Sequence, residues 1–177
     1  LLVGAILFGG ANGGLAYAQQ TVSSSVAALV SATMPLWMAV FSWWSGQPPT
    51  LREWLGLAAG FLGVALIHAG GGFSLQGLAA LALLGSPMSW AMGSLLSRRL
   101  PAAPGAMSNA AHMLGGGLCL SVFALVHGER VPTPSAAAWG AWAYLVFVGS
   151  LVGFVAYGFL LRNTRPAFAT SYAYVNP

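Results

Sequence analysis

The feature that most constrains this chain is where its charges are missing. No charged side chain occurs in the first 51 residues, nor in the 44 from Trp54 to Ser97. The stretches Leu100–Gly128 and Val131–Leu161 are equally free of charge. A helix that crosses a bilayer needs about 20 consecutive apolar residues. By that length the four runs hold two, two, one and one crossings, and a seventh begins near Ala167. Strands of a transmembrane barrel would instead alternate apolar and polar residues over segments of about 10, and runs rich in Leu, Ala, Gly and Val do not. Charged residues make up 5% of the chain, against about 25% in a soluble domain, so it could not cover a water-facing surface. A soluble enzyme, a nucleic-acid-binding module and a disordered segment are thereby excluded. The pI of about 9.9 comes from six Arg dispersed over 177 residues, which form no basic patch. The fold class is all-α: a polytopic membrane helix bundle with about six full spans and a partial seventh.

The spans are expected over Leu1–Ala18, Val22–Trp44, Trp54–Ala69, Leu75–Ser97, Ala106–Val126 and Ala136–Leu161, with the last running from Ala167. Short connections rich in Gly, Pro, Gln and Asn separate them, such as Gly46-Gln47-Pro48-Pro49 and Asn163-Thr164-Arg165-Pro166. Such links force consecutive helices to run antiparallel. Distributing the loops over alternate sides puts Arg52, Arg98, Arg99, Arg162 and Arg165 together, with Arg130 opposite. Short cytoplasmic loops are enriched in Arg and Lys, so the five-Arg side is expected in the cytoplasm. Leu1 starts inside one apolar run and Pro177 stops inside another, with no initiating Met and no charged leader; the expectation is a segment of a longer protein. Cys119 is the sole cysteine, which leaves no disulfide or thiolate metal site within the chain.

The stretch Ser25–Pro35 is echoed by Ala167–Pro177 at an offset of 142: small residues, then bulkier ones, then a Pro in an apolar helix. Five spans lie between the copies, an odd number, so the second copy would be inverted in the membrane. Internal symmetry of inverted topology is common among secondary transporters. The residues then carry a family resemblance. Val26-Ala27-Ala28-Leu29-Val30-Ser31-Ala32-Thr33-Met34-Pro35 resembles the fourth helix of EamA-type proteins of the drug/metabolite transporter superfamily, and Trp54–Leu66 its fifth. Ser89–Arg99 looks like the start of that family's second repeat, and Pro166–Tyr172 with Pro177 resembles its ninth helix. The resemblance implies a ten-helix inverted-repeat transporter, and the offset of 142 then puts the intact protein at roughly 280 residues. Residues 1–70 would be the C-terminal part of the first repeat (helices three to five). Residues 75–177 would be most of the second (helices six to eight and the start of nine).

Candidate site residues are the polar and aromatic groups at membrane depth, where polarity is costly and tends to be functional. Asn12 and Gln19 lie seven apart on one helical face. Ser86, Ser89, Trp90, Gly93 and Ser97 form a small and polar stripe. Tyr157 follows Gly149 and Gly153, and Tyr172 and Asn176 are four apart. Together Asn12, Gln19, Ser86, Ser89, Trp90, Tyr157, Tyr172 and Asn176 suit the wall of a substrate cavity, with Pro35 and Pro177 as helix kinks that widen it. Each of these groups also reads as interhelical hydrogen-bonding glue. His112 with Asn109 reads either as a proton-relay element or as a packing pair. Gly10/Gly14, Gly56/Gly60 and Gly149/Gly153 are spaced for close helix packing. The only carboxylates, Glu53 and Glu129, fall in loops, so acid–base catalysis within the spans has no acidic pair. Gly85-Ser86-Pro87 with His112 is a poor imitation of an intramembrane serine protease.

The sequence therefore points to a multi-pass protein of the cell (plasma or inner) membrane: a secondary transporter, exporting small metabolites or amphipathic compounds by alternating access. The alternative is a non-transporting polytopic protein, either an intramembrane enzyme or a helical assembly subunit. No catalytic residue, cofactor, metal or nucleic acid is expected. The expected partners are a small-molecule substrate and the lipid bilayer, and a homodimer is compatible with the composition.

Overall fold

The computed structural model describes residues 1–68, 77–100, 106–129 and 133–175, and all regular structure among them is helical. The elements are α1 (Leu2–Ala18), α2 (Ser24–Trp44), α3 (Leu51–His68), α4 (Gly77–Arg99), α5 (Ala106–Val126), α6 (Ala136–Asn163) and α7 (Pro166–Thr170). A 3₁₀ turn, Ser171–Tyr174, continues α7. Helices α2, α4 and α6, together with Met107–Val126 of α5, are long and apolar enough to cross a membrane. Helix α1 is shorter, and α3 carries Arg52 and Glu53 in its first turn. At 1.5 Å per residue the 18 residues of α3 reach about 27 Å, close to the thickness of the hydrocarbon layer. This is the all-helical polytopic bundle expected.

Local chemistry sets the ends. Ser23 and Ser135 cap α2 and α6, their hydroxyls accepting from the Val26 and Ala138 N–H groups. Thr50 and Glu53 form a reciprocal box at the start of α3: the carboxylate accepts from the Thr50 N–H (2.6 Å), and the Thr50 hydroxyl accepts from the Glu53 N–H (3.3 Å). Gly46 (φ +80°) closes α2, with the Gln47 N–H donating to the Ser42 carbonyl at 2.9 Å. Gly128 (φ +65°) closes α5 in the same way. Both are left-handed caps that glycine adopts without strain. Helix α2 breaks at Ala32–Thr33, just before Pro35, which has no N–H for the Ser31 carbonyl one turn back. The Pro35 kink thus stands where it was expected. Pro177 lies outside the described residues.

Helix α1 runs through the middle of the bundle, against α4 on one side and α5 on the other. Only glycine permits this approach. A Cβ on Gly4 would lie 2.0 Å from the His112 carbonyl oxygen, and one on Gly10 would lie 2.1 Å from the Ser89 Oγ. One on Gly14 would reach the Ala82 carbonyl at 2.9 Å. Gly60 meets the Tyr174 ring in the same manner, whereas Gly56 faces open space and Gly149 and Gly153 make only ordinary contacts. The packing role expected of the glycine pairs therefore holds in full for Gly10/Gly14 and for half of Gly56/Gly60.

Two segments are wound as π-helix, Ala5–Gly13 in α1 and Leu145–Val152 in α6. They fall on a matching motif, Gly9-x₃-Gly13-x₃-Tyr17 and Gly149-x₃-Gly153-x₃-Tyr157, at an offset of 140. The wider winding turns carbonyls outward, and α4 supplies donors for two of them. Ser86 donates to the Ala11 carbonyl (2.7 Å) and Ser89 to that of Ile6 (2.8 Å).

The arginine-rich ends meet. Arg165 pairs with Glu53 at 2.6 Å and donates to the Pro48 carbonyl at 2.9 Å, while Arg99 donates to the Ser45 carbonyl. The C-terminal ends of α2, α4 and α6 therefore share one end of the bundle. The outer faces are apolar and bare, with Leu55, Leu66, Leu114 and Phe147 all strongly exposed. Such surfaces fit hydrocarbon and not water.

Candidate functional site

A cavity of about 320 Å³ lies where four elements converge. Ala11, Asn12 and Leu15 come from α1, and Ser31 and Met34 from the break in α2. Ser86, Pro87 and Trp90 come from α4, and Tyr172 and Ala173 from the turn after α7. The break at Ala32–Thr33 turns the Ser31 and Met34 positions toward it, and the small residues of α1 leave the space. A larger groove of about 760 Å³ runs along the glycine face of α1 beside α5, with mostly apolar walls open to the bundle's outside. The smaller cavity is the better candidate, because it gathers amide, hydroxyl, indole and phenol groups from four elements.

Behind Trp90 stands an aromatic cluster. Its ring packs edge-on to Phe8 and Phe154, with centroids 6.1 and 6.3 Å away, and tilted against Tyr157 at 5.6 Å. The indole N–H donates to the Tyr157 hydroxyl at 3.2 Å, and that hydroxyl and the Ser94 hydroxyl are 2.8 Å apart. Tyr157 is 7% exposed, and its ring meets the Tyr172 ring edge-on at 5.7 Å. Trp90 is thereby fixed in orientation from behind while its other face borders the cavity.

Of the residues singled out from sequence, Asn12, Ser86, Trp90 and Tyr172 line this cavity. The Asn12 amide has no hydrogen-bond partner among the described residues. Tyr157 stands one layer back as the support for Trp90. Ser89 points to the α1 backbone instead. Gln19 lies in the exposed turn after α1, outside the lining, because α1 ends at Ala18 and its π-helical stretch shifts the heptad register on which the Asn12/Gln19 pairing rested. Asn176 lies outside the described residues. Ser31, Met34 and Ser94 were missed. Ser31 and Met34 flank the bend before Pro35, a signal the sequence did carry. Ser94 is four residues after Trp90, and its hydroxyl meets the same Tyr157 oxygen as the indole.

Charge stays at the rim. Burial raises the Glu53 carboxyl's pKa, but the Thr50 hydrogen bonds and the Arg165 charge outweigh it and hold it below its ordinary value.

Comparison with known proteins agrees with this architecture. The EamA-like transporter family matches residues 1–69 and 77–177. The chain is 38% identical over 178 residues to the "Uncharacterized inner membrane transporter YedA" of Escherichia coli (strain K12), covering 99% of this chain and 58% of the relative. It is 32% identical over 175 residues to the "Uncharacterized transporter YvbV" of Bacillus subtilis (strain 168), covering 92% of this chain and 56% of the relative. The chain thus spans somewhat more than half the length of these relatives. No solved structure matches. Apolar helices, glycine-mediated packing and the extent of the match agree: the chain belongs to the EamA-like transporter family.

Proposed function

We propose that this chain carries the central part of a secondary transporter of the cell (inner) membrane, one that exports small metabolites or amphipathic compounds. The observation that carries the reading is the Asn12–Trp90–Tyr172 cavity, closed by elements from residues 1–70 and from 75–177. On this reading those ranges belong to two repeats of opposite orientation, and alternating access rocks one against the other around a site between them. The matching π-helical segments of α1 and α6, set on the same Gly/Gly/Tyr motif, support the repeat assignment. Trp90 would stack on an apolar or aromatic part of the solute, and the Asn12 amide would supply both a donor and an acceptor. The test uses the full-length protein in proteoliposomes, with radiolabelled leucine, threonine and uridine as probe solutes. Saturable flux of at least one probe is expected. Trp90→Ala and Asn12→Ala should raise the half-saturating concentration severalfold at normal membrane abundance. No flux of any probe above empty vesicles, or flux lost only in proportion to lost protein, would overturn the assignment.

A further inference from the structure

The hydrogen bonds behind Trp90 continue away from the cavity. A hollow of about 10 Å³ lies between α1, α4, α5 and α6, room for about one water molecule. Its polar walls are Ser94 and Ser97, Asn109 and His112, and Tyr157 and Arg162, with Leu7 of α1 among the apolar ones. Glycines bring the walls together. Gly4 lets α1 rest on the His112 backbone, and Gly158 stands where a Cβ would lie 3.0 Å from the Asn109 amide nitrogen. His112 is 8% exposed, yet its ring makes no hydrogen bond to any described residue. His112 shares the lining of this hollow with Ser94 and Tyr157, so a single water there could bridge the imidazole to either hydroxyl.

We propose that His112 is a proton-binding site, and that its protonation state is passed to the central cavity through Ser94 and Tyr157. The consequence for solute binding rests on the transport reading above; the relay itself is a matter of donors and acceptors. An indole N–H can only donate, so the Tyr157 oxygen accepts from Trp90 in either state. With His112 neutral and offering a lone pair, the hydrogens run one way: Trp90 to Tyr157, Tyr157 to Ser94, Ser94 to water, water to His112. A proton taken from bulk water forms an N–H bond on His112, after which both ring nitrogens donate. The water then turns its hydrogen to Ser94, and Ser94 turns its own to Tyr157. The Tyr157 oxygen now accepts twice, and its hydrogen is released toward another acceptor. The Tyr157 oxygen stands one layer behind the cavity, so the change reaches the cavity through its hydrogen bond to Trp90, whose ring is one of the walls. One N–H bond forms on loading and breaks on release; all other steps are hydroxyl rotations. Among the described residues, Arg162 of α6 is the charged group in the lining and Tyr157 the other titratable one. Helix α4 contributes only serines, α5 only Asn109 besides His112, and α1 only Leu7.

Nuclear magnetic resonance of the full-length protein in lipid nanodiscs, ¹⁵N-labelled at Trp and His, tests this without a solute. The Trp90 indole signal is assigned by its loss in Trp90→Phe. It should shift between about pH 5 and 8 with the same midpoint as the His112 ring signals. His112→Gln and Ser94→Ala should each abolish that shift. Ser97→Ala should keep it, because the Ser97 hydroxyl is committed to the Ser94 carbonyl at 2.7 Å. A Trp90 signal that does not respond to pH in the unaltered protein, or that responds equally in Ser94→Ala, overturns the relay. If His112→Gln fails to fold, Ser94→Ala decides. Because none of these readouts needs flux, failure of the relay and failure of the transport reading are distinguishable.

Discussion

Gly4→Ala is the substitution for which the structure gives the largest effect per added atom. The new methyl would sit 2.0 Å from the His112 carbonyl oxygen, 2.8 Å from its carbonyl carbon and 2.9 Å from its Cα. All three are backbone atoms of α5, so no side-chain rotation relieves the clash. An ordinary carbon–oxygen contact needs more than 3 Å, and α1 and α5 must part by about 1 Å. A gap of that size forfeits a quarter to a half of each dispersion contact it opens, and overpacking of this kind costs about 1–3 kcal/mol. Alanine returns up to about 1 kcal/mol of helix propensity. With a backbone–backbone clash of this size at the top of the overpacking range, the net expectation is a loss of about 2 kcal/mol, which lowers the folded-to-unfolded ratio roughly thirtyfold. Gly56→Ala is the matched control, since nothing lies within 4 Å of the added methyl; it should be neutral or stabilising. Reversible unfolding of the full-length protein in mixed micelles, followed by far-ultraviolet circular dichroism, gives both numbers. If Gly4→Ala is as stable as Gly56→Ala, the close passage of α1 over α5 is wrong.

Two other expectations concern the arginine-rich end. The Glu53 pKa is depressed below 4.5 in the folded protein, so its contribution is present above that pH and lost as pH falls through the folded value. Glu53→Gln should cost about 1 kcal/mol at pH 7, and should flatten the acid limb of a stability titration run from about pH 7 to 3; an unchanged limb would contradict the depression. For orientation, single cysteines at Gln47 and Thr133 in a Cys119→Ala background should differ on intact cells. An impermeant maleimide should label position 133 and spare 47, and the opposite pattern would reverse the topology.

The class of fold was legible because a bilayer imposes it: long charge-free runs have few folded alternatives. The break in α2 was legible too, since Pro35 cannot complete the ladder. The Asn12/Gln19 face was not. That reading assumed 3.6 residues per turn, and the glycines of α1 permit the wider winding of Ala5–Gly13, which moves every later residue around the axis. Ser86 and Ser89 were correctly placed on one stripe, but a stripe does not say whether a hydroxyl meets solvent space or a carbonyl on the next helix. That depends on α1 lying against them, which in turn depends on Gly10 and Gly14. Ser94 escaped notice because its importance comes from Tyr157, 63 residues further along.

The serines also bear on what the cavity can recognise. Each hydroxyl has one hydrogen, and Ser86, the serine of α4 in the lining, donates its hydrogen to the Ala11 carbonyl. It therefore offers a solute lone pairs only. Trp90, whose indole donates to Tyr157, offers the cavity a ring face and no N–H. The donors left in the described lining are the Asn12 amide and the Ser31 and Tyr172 hydroxyls, beside aromatic and aliphatic surface. On the proposed reading, a site so sparing of fixed donors gains most of its affinity from apolar burial and stacking. Rejection of an analogue is strong only where a buried polar group would be left unpaired. On that reading, selectivity among amphipathic solutes is therefore broad: Asn12, the amide of the described lining, is itself exposed and discriminates only weakly.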